Sequence, residues 1–317
     1  MEILTGEGQL SRGEKLAWAG ATDIGLRRKD NQDSFLASLP FFLVADGMGG
    51  HAGGKQASET LLGALRPFEG RKLGVEKVHR LLDTACQEVM NLAEANLDYS
   101  ISPPGTTLTG LVFLNAAIDD SVDATKTTVE TTVDVESAPP PPPQAPQPPV
   151  AETSPEEPSL LVVNVGDSRT YELADGLLRQ ITRDHSQVAQ MLEAGLITSE
   201  MARIMPNRSV ITRAVGAGQL ELPEIDSWTL PVSGMPGSRR YLICSDGLHS
   251  LVDEGEIGRL LVAASRPEDA VKSLVEAALA AGGFDNVTVL VLDVVSASGS
   301  VTGSATDSAS DSGSKEL

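Results

Sequence analysis

The chain has 317 residues and a formal net charge of −20. An acidic balance of that size argues against nucleic acid as a direct partner, because binding it needs a basic surface. The two cysteines, Cys86 and Cys244, are too few for a disulfide framework, and no apolar run reaches the length of a membrane span. Each cysteine lies in an apolar context, so buried free thiols and a reducing cytoplasm are expected. The N-terminus lacks the charged-then-apolar layout of a signal peptide.

In chain order, residues 1–14 are polar and read as a flexible N-terminus. LAWAGATDIG reads as a first strand, and a second begins near Ser34 after the polar loop LRRKDNQD. FFLVADGMGGHAGG follows. Its apolar run Phe41 to Ala45 reads as a buried strand that stops at Asp46-Gly47, and the glycines after it leave a main chain that other groups can approach closely. Residues 55–66 and 73–98 read as helices. In the second, Leu73, Val78, Leu81, Leu82, Ala85, Val89, Leu92 and Leu97 approximate one apolar face. TTLTGLVFLNAAI is β-rich.

Residues 119–159 are acidic, rich in threonine and proline, and short of large apolar residues other than valine. Such a segment cannot bury enough surface to offset its ordering entropy, so it is expected to be disordered. Strand patterns on both sides favour an insertion in a hairpin over a domain boundary. Its proline run can dock a proline-binding partner, although a solvated loop is the commoner role. Beyond it, SLLVVNVGDSRTYELADGLLRQIT reads as strand, turn, strand, turn, strand, and residues 185–205 as short helices with Thr198 as a cap. Residues 213–216 are strand-like, and RYLICSDG is another buried strand. Residues 253–263 and 267–281 read as helices, the second opened by Pro267 and closed by Gly282-Gly283. FDNVTVLVLDVV is the last strand, and the tail from Ser296 reads as disordered. One α+β domain over residues 15–295 is expected, with antiparallel sheets at its centre and helices outside.

Five aspartates stand beside these apolar strands: Asp33, Asp46, Asp167, Asp246 and Asp285. A carboxylate so close to a core is costly unless it is paired or liganded. Oxygen donors without a cysteine or histidine cluster point to Mg²⁺ or Mn²⁺ rather than zinc. Two such ions activate water near neutral pH, which suits attack on a phosphate ester.

The blocks DIGLRRKDNQD, VADGMGGHAGGKQAS, GTTLTGL, VGDSRTY, DHSQVAQMLEAGLI, SVITRAVG, ICSDGL and FDNVTV occur in this order. The chain thereby resembles the metal-dependent protein phosphatases of the 2C type, bacterial branch, over about residues 16–293 apart from the insertion. That resemblance implies a four-layer α-β-β-α sandwich with metals in a cleft at one sheet edge. It implies a serine/threonine phosphatase using two Mn²⁺ or Mg²⁺ ions and a metal-bridging hydroxide. Asp46 would bridge the ions, Gly47 would offer its carbonyl, and Asp246 and Asp285 would complete the set. Asp33 would act through water or directly. Asp167 would help hold a third, looser ion. Arg28 would grip the phosphate, and His51 would protonate the leaving oxygen. His79, His185 and His249 are expected to be surface or structural. The implied partners are phosphorylated proteins, among them serine/threonine kinases and their substrates, met by a cytoplasmic monomer with no role at a membrane.

Three departures from the family pattern stand out. Gln32 replaces a frequent glutamate, Ser250 replaces an aspartate near the third ion, and Met205-Pro206 with Arg208-Ser209 alters the flap beside the cleft. The competing reading is a catalytically weak regulatory or scaffold module of the same fold. Retention of Asp46, Asp246, Asp285, Arg28 and His51 speaks against it.

Overall fold

The apolar runs become the strands of two antiparallel sheets in a computed structural model, which describes residues 1–10, 13–49, 52–95, 102–116, 158–205, 210–232 and 237–296. The six-stranded sheet has the order β1 (Ile3–Gln9), β2 (Lys15–Asp23), β14 (Val287–Val295), β13 (Ser238–Cys244), β9 (Arg169–Ala174) and β10 (Leu177–Gln180). The five-stranded sheet has the order β12 (Asp226–Pro231), β8 (Ser159–Val165), β7 (Leu108–Leu114), β4 (Phe41–Ala45) and β3 (Ser34–Ser38). A small ribbon of β11 (Val215–Gly216), β6 (Gly105–Thr106) and β5 (Gly47–Met48) lies beside them.

The central strands β4, β7, β8 and β14 are buried along nearly their whole length and largely apolar because both faces are covered. Successive side chains of a strand point to opposite faces, so each strand feeds two cores. In β4, Phe42 and Val44 enter the core between the sheets, while Phe41, Leu43 and Ala45 enter the core under α1 (Ala52–Gly63) and α2 (Val75–Ala95). In β14, Leu290, Leu292 and Val294 face the five-stranded sheet. Val287, Val289 and Val291 face α5 (Asp246–His249), α6 (Glu254–Ala263) and α7 (Pro267–Ala280). The result is the expected α-β-β-α order of layers. Between the sheets, Phe42 meets Trp18 and Phe113 edge-on, with ring centroids 5.2 and 5.7 Å apart. Truncating a ring so enclosed costs roughly 3–5 kcal/mol.

Two further helices, α3 (Gln187–Glu193) and α4 (Ser199–Ile204), lie between β10 and β11. The Thr198 hydroxyl accepts the Met201 N–H at the start of α4, as the sequence suggests. At the end of α7 the Gly283 N–H closes on the Ala278 carbonyl, with Gly283 at φ +50°.

The structure corrects the reading of the first residues. Residues 3–9 are not a loose end but an edge strand, paired with β2 from Ile3 opposite Ala21 to Gln9 opposite Lys15. Its polar glycines hid it, and they have a packing purpose: a Cβ on Gly6 would come within 2.4 Å of the Trp18 ring. β12 went unread because Asp226, Ser227 and Thr229 give an edge strand little apolar signal. The first helix begins at Ala52 rather than 55, inside the glycine-rich stretch, and the second spans 75–95. The insertion, apart from its last residues, and the tail from 297 lie outside the described residues. Leu114 nevertheless pairs with Ser159, so the strands that flank the insertion are direct neighbours. Among the described residues no helix is long and apolar enough to cross a membrane.

Candidate metal centre

The five aspartates stand at strand ends, and the register brings those ends together. Asp33 precedes β3, Asp46 follows β4 and Asp167 follows β8. Asp246 follows β13 and opens α5, and Asp285 precedes β14. Ser34 lies opposite Ala45, Leu108 opposite Val165, and Cys244 opposite Val289, which puts all five acids at one end of the sandwich. The site therefore caps the strand ends rather than a lateral edge of either sheet.

Local packing explains each position. The Asp46 N–H donates to the Thr107 hydroxyl at 3.0 Å, and its carbonyl accepts from the Thr107 N–H and the Thr106 hydroxyl. The Gly-Thr-Thr block thus fixes the peptide of Asp46. Gly47 is there for proximity: a Cβ would fall 2.2 Å from the Gly54 carbonyl oxygen and 2.5 Å from that of Gln32. Gly247 meets the same constraint against the Asn286 carbonyl, at 1.9 Å. Both Asp-Gly pairs are places where two backbones touch, not simple turns. The Asp33 carboxylate accepts from the Ser245 and Thr288 hydroxyls, each at 2.8 Å on Oδ2. Asp285 accepts from the Asn286 N–H on Oδ1 and from the Arg28 guanidinium on Oδ2 at 2.5 Å.

Burial pushes the Asp46 carboxyl well above its ordinary range, and the charges of Asp33, Asp246, Asp167 and Asp285 push it the same way. Asp33 is raised to about 7 by burial, with Asp246 and Asp285 adding to it and the two hydroxyls opposing. Asp167 is raised to about 7 by burial and then by Asp246 and Asp184. Arg28 is half-exposed at the rim, within the field of Asp285, Asp46 and Asp246. Asp46, Asp33 and Asp167, each disfavoured in its charged form by burial and by neighbouring acids, offer oxygen donors that suit a hard divalent cation. As they stand, no three acids, thiols or imidazoles among the described residues close into a ready coordination set. Two candidate oxygens are already engaged, that of Asp285 by Arg28 and that of Asp33 by its hydroxyls.

Arg28 and all five aspartates are thus brought together, with Gly47 beside Asp46. His51 lies outside the described residues. Sequence reasoning missed Asn286, which locks the Arg28 loop. Its side-chain oxygen accepts the Gln32 N–H, and its nitrogen donates to the Ile24 and Asp30 carbonyls. It also gave no role to Thr107 or Ser245. All three lie within the blocks already singled out, but a side chain that hydrogen-bonds across the fold carries no periodic signal. Cys86 and Cys244 are buried and free, and burial pushes the Cys86 thiol up to about 12.

No family model matches the chain. It is 32% identical over 284 residues to the serine/threonine protein phosphatase PstP of Mycobacterium tuberculosis, across 88% of this chain but only 45% of that protein. The chain spans about half the length of that relative. A crystal structure of the Mycobacterium tuberculosis phosphatase PstP/Ppp superposes with a TM-score of 0.67 at 31% identity, over 88% of this chain and 98% of the crystallised one. The PstP catalytic domain in complex with two manganese ions gives a TM-score of 0.66 at 30% identity, over 89% and 99%. Identity of this level across nearly all of a crystallised phosphatase, on a shared fold, means that the chain belongs to the bacterial 2C-type family of serine/threonine protein phosphatases.

Proposed function

We propose that this chain is a metal-dependent protein serine/threonine phosphatase, acting on phosphoserine and phosphothreonine and opposing serine/threonine kinases in the cytoplasm. The observation that carries the reading is the gathering of five mutually repelling aspartates at one end of the sandwich, with an arginine at the rim. The relative's two manganese ions support the same assignment. Asp46, the Gly47 carbonyl, Asp246 and Asp285 would hold the two ions. Asp33 would support them through water or directly, and Asp167 would help hold a third, looser ion. When bound, Mn²⁺ or Mg²⁺ supplies charge neutralisation and activates water for attack on phosphorus.

The remaining work falls to the chain. Arg28 is held at the rim by Asp285, with its planar fork available to two phosphate oxygens. An arriving phosphate dianion competes with Asp285 for that fork, so substrate binding releases Asp285. His51 donates the proton to the leaving serine or threonine oxygen. The Gln32 main chain, tied to Asn286 and to Ser58, keeps the loop with Arg28 and Asp33 in register with Asp285. The protein works as a monomer, and its proline-rich segment is of a kind that can dock a proline-binding partner, a solvated loop being the commoner role.

The rival reading, a regulatory module without catalysis, is disfavoured by the full set of acids. Hydrolysis of nitrophenyl phosphate by the purified chain, with and without millimolar Mn²⁺, separates the two. Metal-dependent turnover that disappears in Asp246→Asn supports the enzyme. No turnover from folded protein with any divalent metal overturns it.

A further inference from the structure

The turn that carries Asp167 is gripped on both sides of its peptide by histidines. The Gly166 N–H donates to His185 Nδ1 at 3.0 Å, and the His185 N–H donates back to the Gly166 carbonyl at 2.8 Å. On the other side, His249 Nε2 donates to the Asp167 carbonyl at 3.0 Å. Asn164 Nδ2 adds bonds to the Gly166 and Arg183 carbonyls. Gly166 sits at φ +107°, where a Cβ would strike Thr107 at 2.5 Å, so the turn has few other shapes open to it.

His185 is 7% exposed, and its ring is oriented by what it touches. The Gly166 N–H occupies the Nδ1 lone pair, so the ring proton is on Nε2, where it donates to Asp226 Oδ2 at 3.1 Å. The other oxygen of Asp226 accepts from Arg213 at 2.6 Å. The His185 carbonyl accepts the Thr212 N–H at 2.7 Å, and Ser186 bridges to Ile211. The segment containing α3 and α4 is therefore closed at its root, and the root is fastened to the peptide before Asp167. His249 comes from α5, which opens with Asp246.

We infer that His185 and His249 are positioning residues for Asp167, one holding the peptide N–H before it and the other its carbonyl. Together they set the aspartate's distance from Asp246 and hence the affinity of the looser metal position. This rests on the role proposed above for Asp167. Partners that orient a ligand typically change metal affinity ten- to a hundredfold when removed.

The ring's two nitrogens allow a test that a merely structural histidine would not pass. An asparagine at 185 presents its side-chain oxygen near the Nδ1 position and keeps the Gly166 bond. A glutamine reaches the Nε2 position and loses it. Metal-free full-length chain is titrated calorimetrically with Mn²⁺ as wild type, His185→Asn, His185→Gln and His249→Ala. Thermal unfolding checks that each variant is folded. The weakest Mn²⁺-binding step is expected to weaken roughly tenfold in His185→Gln and His249→Ala, while the tighter steps and His185→Asn stay within about twofold of wild type. Equal weakening in the asparagine and glutamine variants overturns the inference, as does a folded His249→Ala with every step unchanged. If His185→Gln does not fold, the half-buried His249 decides alone. The readout is binding, so it stands apart from turnover: a wild type that binds Mn²⁺ without hydrolysing nitrophenyl phosphate would sink the enzymatic reading and leave this one in place.

Discussion

Glu172 and Asp33 are similarly buried, 4% and 7% exposed, yet their surroundings are opposite. Glu172, in β9, accepts from Arg239 at 2.5 Å, from Arg179 at 2.8 Å and from the Tyr241 hydroxyl at 3.4 Å. Two cations answer one acid. Asp293 is treated likewise, held by Arg240 through two bonds of 2.6 and 2.7 Å, while the same arginine satisfies the Leu261 and Ala264 carbonyls at the end of α6. At the opposite end of the strands, Asp33 meets two hydroxyls and then other acids. Arginine is therefore recruited where buried charge is a matter of stability. At the strand ends the acids outnumber the arginines near them among the described residues, Arg28 beside Asp285 and Arg169 near Asp167, and that is the arrangement a protein keeps when the missing positive charge comes from outside.

This contrast can be broken by substitution. Asp246→Asn is expected to lower Mn²⁺-dependent turnover of nitrophenyl phosphate on the order of a thousandfold or more. Its thermal midpoint without metal should not fall, because one repelling charge has gone. A marked drop in the metal-free midpoint would mean that relief of repulsion among the acids is not what the substitution brings. Glu172→Gln should do the reverse. Leaving Arg239 without its counter-charge destabilises by about 3 kcal/mol, visible in urea unfolding, and turnover of the folded fraction should stay near wild type. Mn²⁺ at a hundred times its dissociation constant should stabilise wild type by about 2.7 kcal/mol, with the gain much reduced in Asp246→Asn.

The smallest effect concerns acid. Burial raises the Asp226 carboxyl, but the hydrogen bonds from His185 and Arg213 outweigh it and leave the group below its ordinary value. A depressed folded value contributes stability that is present above the unfolded value, about 4, and is lost as pH falls through the folded one. The contribution is less than about 1 kcal/mol for a group this exposed. Urea midpoints of wild type and Asp226→Asn, compared from pH 6 down to pH 3, should converge as the pH drops. Parallel curves would show that Asp226 gains nothing from its two partners.

Much of the fold was legible because strands covered on both faces are apolar throughout. β4, β8 and β14 stand out for that reason, and so does the apolar face of α2. β1 and β12 were hidden because an edge strand needs only one good face, and glycine at 6 and 8 erased even that. The acids were legible one by one, as carboxylates that interrupt apolar runs. Asn286 and Thr107 were not assigned roles, and His185 was read only as surface or structural. Their work is hydrogen bonding across separations such as the 254 residues between Gln32 and Asn286, which leaves no local pattern.

By itself, then, the sequence determined the apolar central strands with helices between them and the identity of the acids, and its ordered motif blocks carried the family resemblance that implied the layers, since apolar runs, motifs and the residues at strand ends are local properties. Tertiary structure alone decided that the acids share one end of the sandwich, that Arg28 rests on Asp285, and that histidines hold the peptide of Asp167. Those facts depend on strand register and on which backbone groups remain to be satisfied once the sheets have packed, and neither exists before the chain has folded.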